Sequence, residues 1–157
     1  MAKIADVGVS VIAILKVVDA TSQRSLRDAV IDRPLLSSWQ ALLGYCKVSI
    51  QHIKTEQFRI LFLDRKNVMM ADELQQSGTV DHTPVYPREV VRRALDLRAS
   101  ALIMVHNHPS GDPTPSPADI ETTERVIAAA KPLGITVHDH IVIGRGGHAS
   151  FKTLGLL

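Results

Sequence analysis

Two histidines in the middle of the chain have the residue type and the spacing of metal ligands. His106 and His108 follow an apolar run, Ala101 to Val105, that predicts a buried strand. Side chains alternate between the two faces of a strand, so both imidazoles point to the same side. Two imidazoles that are two residues apart on one face of a strand could bind a single metal ion.

Asp119 is the third candidate ligand. The residues between His108 and Ser116 are rich in Pro, Gly, Ser and Asp and predict a loop, and Ser116 followed by Pro117 predicts a helix N-cap. Asp119 then lies in the first helical turn, where its carboxylate can face the histidines. Zinc prefers four ligands, so three protein ligands leave a position for water, as a catalytic site requires. Ser116 and Asp119 also form a capping box that needs no metal.

A second His-x-His pair, His138 and His140, lies in a strand predicted over residues 135–143. The same alternation would make it a metal pair, but no Ser-x-x-Asp follows it. We therefore interpret this pair as structural, with Asp139 or His140 orienting a metal-binding histidine. We expect His82 to be a surface residue.

The complete spacing is His-x-His, seven residues, Ser, two residues and Asp, and it resembles the JAMM motif of MPN/JAB-domain metalloproteins. The surrounding stretch, HNHPSGDPTPSPAD, is similar more narrowly to the RadC family of bacterial JAB-domain proteins, and the similarity extends from about Leu35 to the C-terminus. The order of predicted elements, which is helix, two hairpin strands, helix, strand, helix, strand and strand, is typical of an α/β domain with a mixed central sheet. The resemblance implies the MPN/JAB fold. This fold has a mixed central sheet flanked by helices and is similar in outline to cytidine-deaminase-like zinc enzymes.

The resemblance also implies a zinc-dependent hydrolase of the metallopeptidase type, with Zn²⁺ held by His106, His108 and Asp119. Glu56 stands at the start of a predicted strand, at the position of the catalytic base in JAMM-like proteins, and Ser116 has the position of the group that donates to the oxyanion. The substrate would be a peptide or protein with an amide or isopeptide bond.

Glu89 is an alternative acid for the site, although a helical ion pair with Arg92 or Arg93 is the simpler interpretation. Two other functions stay open. One is a DNA-associated accessory protein, suggested by the naming of RadC as a repair protein, and the other is a metal-dependent nuclease. A formal net charge of +2 does not favour a nucleic-acid partner. A nuclease more often holds two metal ions, and ligands for one are present.

The length of 157 residues, with 45% hydrophobic and 22% charged residues, suits one globular domain with an appendage. Residues 1–33 are predicted to form two short helices that end at Asp32-Arg33-Pro34, and residues 34–157 the JAB/MPN domain. The first segment resembles the second half of a helix-hairpin-helix module. We interpret it as a remnant that packs on the domain or on a partner chain, while a phosphate site at the helix start near Gly8 is the alternative.

We expect a cytoplasmic protein without a membrane segment. No apolar run approaches the roughly 20 residues that span a bilayer, and the opening residues do not form a signal-peptide pattern. The single cysteine, Cys46, excludes an intramolecular disulfide. It lies on the apolar face of a helix capped by Ser37 or Ser38, so we expect a buried, unreactive thiol. The sequence indicates neither the natural substrate nor the oligomeric state.

Overall fold

The computed structural model describes residues 8–30, 39–77 and 85–157. The helices are α1 (Val9–Val30), α2 (Trp39–Ile50), α3 (Pro87–Asp96), α4 (Pro117–Ala130) and α5 (Phe151–Leu154), and a short 3₁₀ turn covers Lys131–Leu133. The strands are β1 (Gln57–Leu63), β2 (Met69–Ser77), β3 (Ala101–Asn107), β4 (Thr136–Gly144) and β5 (Gly147–Ser150). The predicted boundary at Asp32-Arg33-Pro34, the caps Ser37 and Ser38, and His82 lie outside the described residues. None of the helices in the described part of the chain is long and apolar enough to cross a membrane.

The five strands form one mixed sheet in the order β2-β1-β3-β4-β5. β1 runs antiparallel to both β2 and β3, β3 runs parallel to β4, and β5 returns antiparallel to β4. Parallel neighbours need a crossover connection, which α4 provides between β3 and β4. A mixed sheet with helices on its faces confirms the predicted α/β fold class.

The central strand β3 is buried along its whole length. Its odd-numbered apolar residues pack with α2 in one core, and Leu102 and Met104 pack with β1, α3 and α4 in the other. A strand covered on both faces is apolar throughout rather than alternating, which explains the continuous hydrophobic run. The last two residues of β3, His106 and Asn107, are polar, yet they are 0% and 1% exposed.

The single cysteine lies in the α2 core. Cys46 is 3% exposed, and burial raises the pKa of its thiol. A buried thiol that resists ionisation is a poor nucleophile. The predicted burial of this cysteine is confirmed.

The prediction of two short helices before residue 33 is wrong, because α1 is one continuous helix of 22 residues. It contains neither glycine nor proline, the two residues that most strongly interrupt a helix. The helix contacts α2, and its apolar side chains Val11, Ile14, Leu15 and Val18 remain exposed to solvent.

Two smaller predictions also need correction. The helical spacing of Val90, Val91, Ala94 and Leu95 predicts that all four lie on the inner face of α3. Leu95 is instead 52% exposed, because the other three already cover the buried side of that helix. The sequence also predicts a short last strand over residues 148–151, ending at Phe151. Instead Phe151 begins α5, because Ser150 caps that helix by accepting a hydrogen bond from the Thr153 N–H.

Gly144, at the end of β4, allows that strand to approach the loop between β3 and α4. A Cβ atom added at Gly144 would overlap the carbonyl oxygen of Gly111 and lie 2.9 Å from the backbone nitrogen of Pro113. Both obstacles are backbone atoms, which cannot move aside as a flexible side chain would. The absence of a side chain at Gly144 therefore allows the loop to lie close to the sheet.

We expect Gly144→Ala to lower the free energy of unfolding by about 1–3 kcal/mol, the usual cost of overpacking. Gly146→Ala is the matched control, since its Cβ would lie 3.6 Å from the same Gly111 oxygen, an ordinary contact. Urea unfolding of both variants measures the difference. Equal midpoints and slopes for the two variants would contradict the close approach.

Candidate metal centre

The three predicted ligands meet where β3 ends and α4 begins. The Nε2 atoms of His106 and His108 are 2.9 Å apart. Asp119 Oδ1 lies 3.2 Å from His106 Nε2, and Asp119 Oδ2 lies 3.4 Å from His108 Nε2. His106 is fully buried, whereas His108 and Asp119 are partly exposed, so the cluster opens to solvent on one side. One nitrogen of each histidine and one carboxylate oxygen lie within 4.8 Å of one another, and this group could hold a metal ion.

The Asp119 carboxylate is held by the capping box at the start of α4. Its Oδ2 accepts hydrogen bonds from the Ser116 backbone N–H at 2.7 Å and from the Ser116 hydroxyl at 2.8 Å. The Asp119 N–H donates to Ser116 Oγ at 3.2 Å. Because Oδ1 still faces His106, the same carboxylate caps the helix and faces the cluster. The two interpretations of this residue pair are therefore compatible.

The ring of His108 is oriented by the loop between β3 and α4. Its Nδ1 lies 2.8 Å from the backbone oxygen of Asp112. A carbonyl oxygen only accepts, so Nδ1–H donates and Nε2 faces the cluster. The Asp112 side chain fixes this part of the loop by accepting hydrogen bonds from the N–H and the hydroxyl of Thr114. This role of Asp112 was not predicted from the sequence, although an aspartate whose side chain bonds the backbone two residues further on is a common turn signal.

The electrostatics of the cluster favour a cation at its centre. Burial opposes ionisation of Asp119, but hydrogen bonds with His106 and His108 hold the pKa of its carboxyl well below the usual range. The hydrogen bond with Asp119 raises the pKa of His108 against the opposing effect of burial. The Asp112 carbonyl and the charge of Glu56 act in the same direction as that hydrogen bond. A proton or a metal ion would satisfy this field.

Glu56 lies immediately before β1, near enough to His108 for its charge to act on that ring. The next residues pair with the end of β3, where Phe58 is opposite His106. Asn107 holds the segment on the other face of that strand through three hydrogen bonds. Its side chain accepts from Gln57 N at 2.9 Å and donates to Ile53 O and Thr55 O, both at 3.2 Å. Asn107 is a positioning residue that the sequence analysis missed, although alternation along the strand places it opposite the two histidines.

The second His-x-His pair is divided between two environments. His140 is fully buried, and its Nε2 lies 2.8 Å from His106 Nδ1, where it can orient that ring. His138 lies at an irregularity of the β3–β4 pairing, between the residues opposite Leu102 and Ile103, and its Nε2 contacts Asn67 Oδ1 at 2.6 Å. The two rings therefore do not converge. The group formed by His106, His108 and Asp119 is the one metal-ligand cluster within residues 8–30, 39–77 and 85–157.

Asp139 anchors the C-terminal elements rather than a histidine ring. Its carboxylate accepts hydrogen bonds from the Ser150 hydroxyl at 2.6 Å and from the Lys152 N–H at 3.0 Å. Of the two residues expected to orient a ligand, His140 alone contacts one. Glu89, the alternative acid, forms ion pairs with Arg88 and Arg92 on the exposed side of α3, as the simpler interpretation expects.

The mixed sheet, the crossover helix and a ligand cluster at the carboxyl end of the central strand are the features expected of a JAB-type domain. Residues 36–156 match the family model described as the RadC-like JAB domain. The chain is also 60% identical over 157 residues to a protein of Rhodobacter capsulatus, and the match covers 100% of this chain and 73% of that protein. Its name, UPF0758 protein, specifies no activity. The chain belongs to the RadC-like JAB-domain family.

We expect His106→Ala and His108→Ala to lose bound divalent metal, because each removes one of three ligands. His138→Ala is the matched control and should retain the metal, since its ring contacts Asn67 instead. Elemental analysis after metal loading and desalting measures the content, and circular dichroism checks that each variant is folded. Metal retained by His106→Ala and lost from His138→Ala would mean that the wrong pair has been chosen.

Proposed function

We propose that this protein is a zinc-dependent hydrolase of the JAMM metallopeptidase type that cleaves amide or isopeptide bonds. The supporting observation is the convergence of two imidazole nitrogens and one carboxylate at a partly exposed site. This donor set fits catalytic zinc, which commonly takes three protein ligands and leaves the fourth position open. Family membership supports the same class of chemistry.

His106, His108 and Asp119 would hold the zinc ion. When bound, zinc supplies Lewis acidity that makes water a nucleophile at a pH of about 7. The hydrogen bond with the Asp112 carbonyl keeps the His108 ring in place, and the hydrogen bond from the Ser116 N–H keeps the Asp119 carboxylate in place. The ligands therefore need little rearrangement to receive the ion.

Glu56 is the proposed general base. Its carboxylate accepts the proton of the attacking water and later delivers it to the leaving amine. Two observations support this role: Glu56 lies directly before β1, and its negative charge acts on His108. The three hydrogen bonds of Asn107 restrict the movement of the segment on which Glu56 lies.

Ser116 is the proposed donor to the oxyanion of the tetrahedral intermediate. Its hydroxyl now donates to Asp119 Oδ2 at 2.8 Å, so it would have to rotate toward the substrate to take this role. Only the hydroxyl hydrogen has to turn, so Ser116 Oγ can still accept from the Asp119 N–H, and the Ser116 N–H can still donate to the carboxylate. A peptide or protein is the proposed substrate. One ligand cluster among the described residues supports a single-metal hydrolase over a nuclease that uses two metal ions.

We expect Glu56→Gln to retain about one zinc ion per chain and to lose turnover by roughly 10²–10⁴-fold, because the amide cannot accept the proton. Glu89→Gln is the matched control and should keep both zinc and activity, since Glu89 pairs with Arg88 and Arg92 on α3. The assay uses a panel of isopeptide-linked and linear peptides, with zinc measured on the same samples.

Three results would count against the proposal. If the wild-type protein takes up no zinc after loading, the proposal of a zinc-dependent hydrolase is wrong. If Glu89→Gln is inactive while Glu56→Gln is active, Glu89 rather than Glu56 is the general base. Full activity in both variants would exclude a glutamate base at either position.

A further inference from the structure

A histidine binds a metal ion through the nitrogen that carries no hydrogen, so each ligand must be held in the right tautomer. For His108 the backbone oxygen of Asp112 makes that choice, because a carbonyl can only accept. For His106 the partner of Nδ1 is another imidazole, His140, whose nitrogen can either donate or accept. The contact between the two rings therefore does not select the tautomer by itself.

Thr123 resolves this ambiguity. Its Oγ1 lies 2.6 Å from the backbone oxygen of Asp119 and 2.6 Å from Nδ1 of His140. The hydroxyl has one hydrogen, and the carbonyl oxygen has none, so the hydroxyl hydrogen goes to Asp119 O. The Thr123 oxygen must then accept a hydrogen bond from His140 Nδ1–H.

The order of donors follows from this first step. The His140 ring is 0% exposed, and an imidazole in such a place is neutral, with one hydrogen. If that hydrogen is on Nδ1, then Nε2 accepts, and His106 Nδ1–H donates to it across 2.8 Å. His106 Nε2 is then free to offer its lone pair to the cluster.

We propose that Thr123 and His140 form a hydrogen-bond relay that selects the metal-binding tautomer of His106. Thr123 is a positioning residue in this proposal, and the relay rests on the metal site of the proposed function. The relay begins at the backbone oxygen of one ligand, Asp119, and ends at the ring of another, His106. It therefore links α4 to β3 through a side chain of β4.

The reversed relay has a physical cost and a functional one. If the hydroxyl hydrogen pointed to His140, the Thr123 and Asp119 oxygens would face each other at 2.6 Å with no hydrogen between them. His140 Nε2–H would then donate to His106 Nδ1. The hydrogen of His106 would move to Nε2, where it would block the metal.

The surroundings of His140 prevent the ring from finding other partners. Phe151 stacks on it with ring centroids 4.6 Å apart, and Phe58 meets it edge-on at 5.3 Å. Both phenylalanine rings are buried and have no hydrogen-bonding group. The two nitrogens of His140 are thus restricted to Thr123 and His106.

The test compares Thr123→Val, which has nearly the same shape without the hydroxyl, with Thr123→Ser, which keeps it. Nitrogen-15 NMR of the histidine rings in the metal-free full chain reports which nitrogen carries the hydrogen. We expect His140 Nδ1–H in the unchanged protein and in Thr123→Ser, and His140 Nε2–H in Thr123→Val. Chelator competition should show zinc affinity lowered about ten- to a hundredfold in Thr123→Val, as for other groups that orient a ligand. It should be nearly unchanged in Thr123→Ser.

Several outcomes would overturn the relay. Finding the hydrogen on His140 Nε2 in the wild-type protein would reject the relay. This measurement needs no variant, so the proposal can be tested even if Thr123→Val fails to fold. Weaker zinc binding in Thr123→Val with an unchanged tautomer would show a packing effect instead. Equal zinc affinity in all three proteins would also reject it. Failure of the proposed function is a different result, in which unchanged protein binds no zinc while the ring tautomers still report on the relay.

Discussion

The complete burial of one polar ring, His106, is the constraint on which the site depends. A buried imidazole needs a partner for each nitrogen, because water cannot reach it. The neighbouring strand β4 supplies His140 for Nδ1, and the carboxyl end of β3 with the start of α4 supplies His108 and Asp119 for Nε2. Phe58 of β1 stacks on the ring at 5.8 Å with an interplanar angle of 11°. The ring therefore has a single orientation before any ion binds.

The same strand positions the proposed base through its opposite face. Consecutive residues of β3 point to different sides of the sheet, so His106 faces α4 while Asn107 faces the segment after α2. Asn107 holds that segment with three hydrogen bonds, and Glu56 lies within it. A shift of the β3 register by one residue would exchange the faces of these two side chains and separate the proposed ligand from the proposed base. Burial of β3 on both faces, with apolar partners on each, resists that shift.

The ligand cluster could be predicted because it depends on local rules, namely alternation along a strand and the capping box at a helix start. The α/β class followed from the order of predicted helices and strands for the same reason. The contact between Thr123 and His140 joins α4 to β4, a strand whose pairing with β3 is irregular near His138. Nothing in the local pattern indicates a bulge of this kind. Leu95 was placed wrongly because helical periodicity does not say how wide the covered face of α3 is.

The carboxylate of Asp119 joins the stability of the fold to the chemistry of the site. The start of α4 favours a negative charge, since its N–H groups and the helix dipole point toward it. Ser116 donates two hydrogen bonds to the same carboxylate, so the charge is fixed by the helix whether or not a cation is bound. A ligand that is already ionised and immobile loses little conformational freedom on binding a metal ion. Because the cap and the proposed ligand are one group, removing Asp119 would weaken the helix start and the proposed metal site together. The roles of His106 and His108 are easier to isolate, since neither caps a helix.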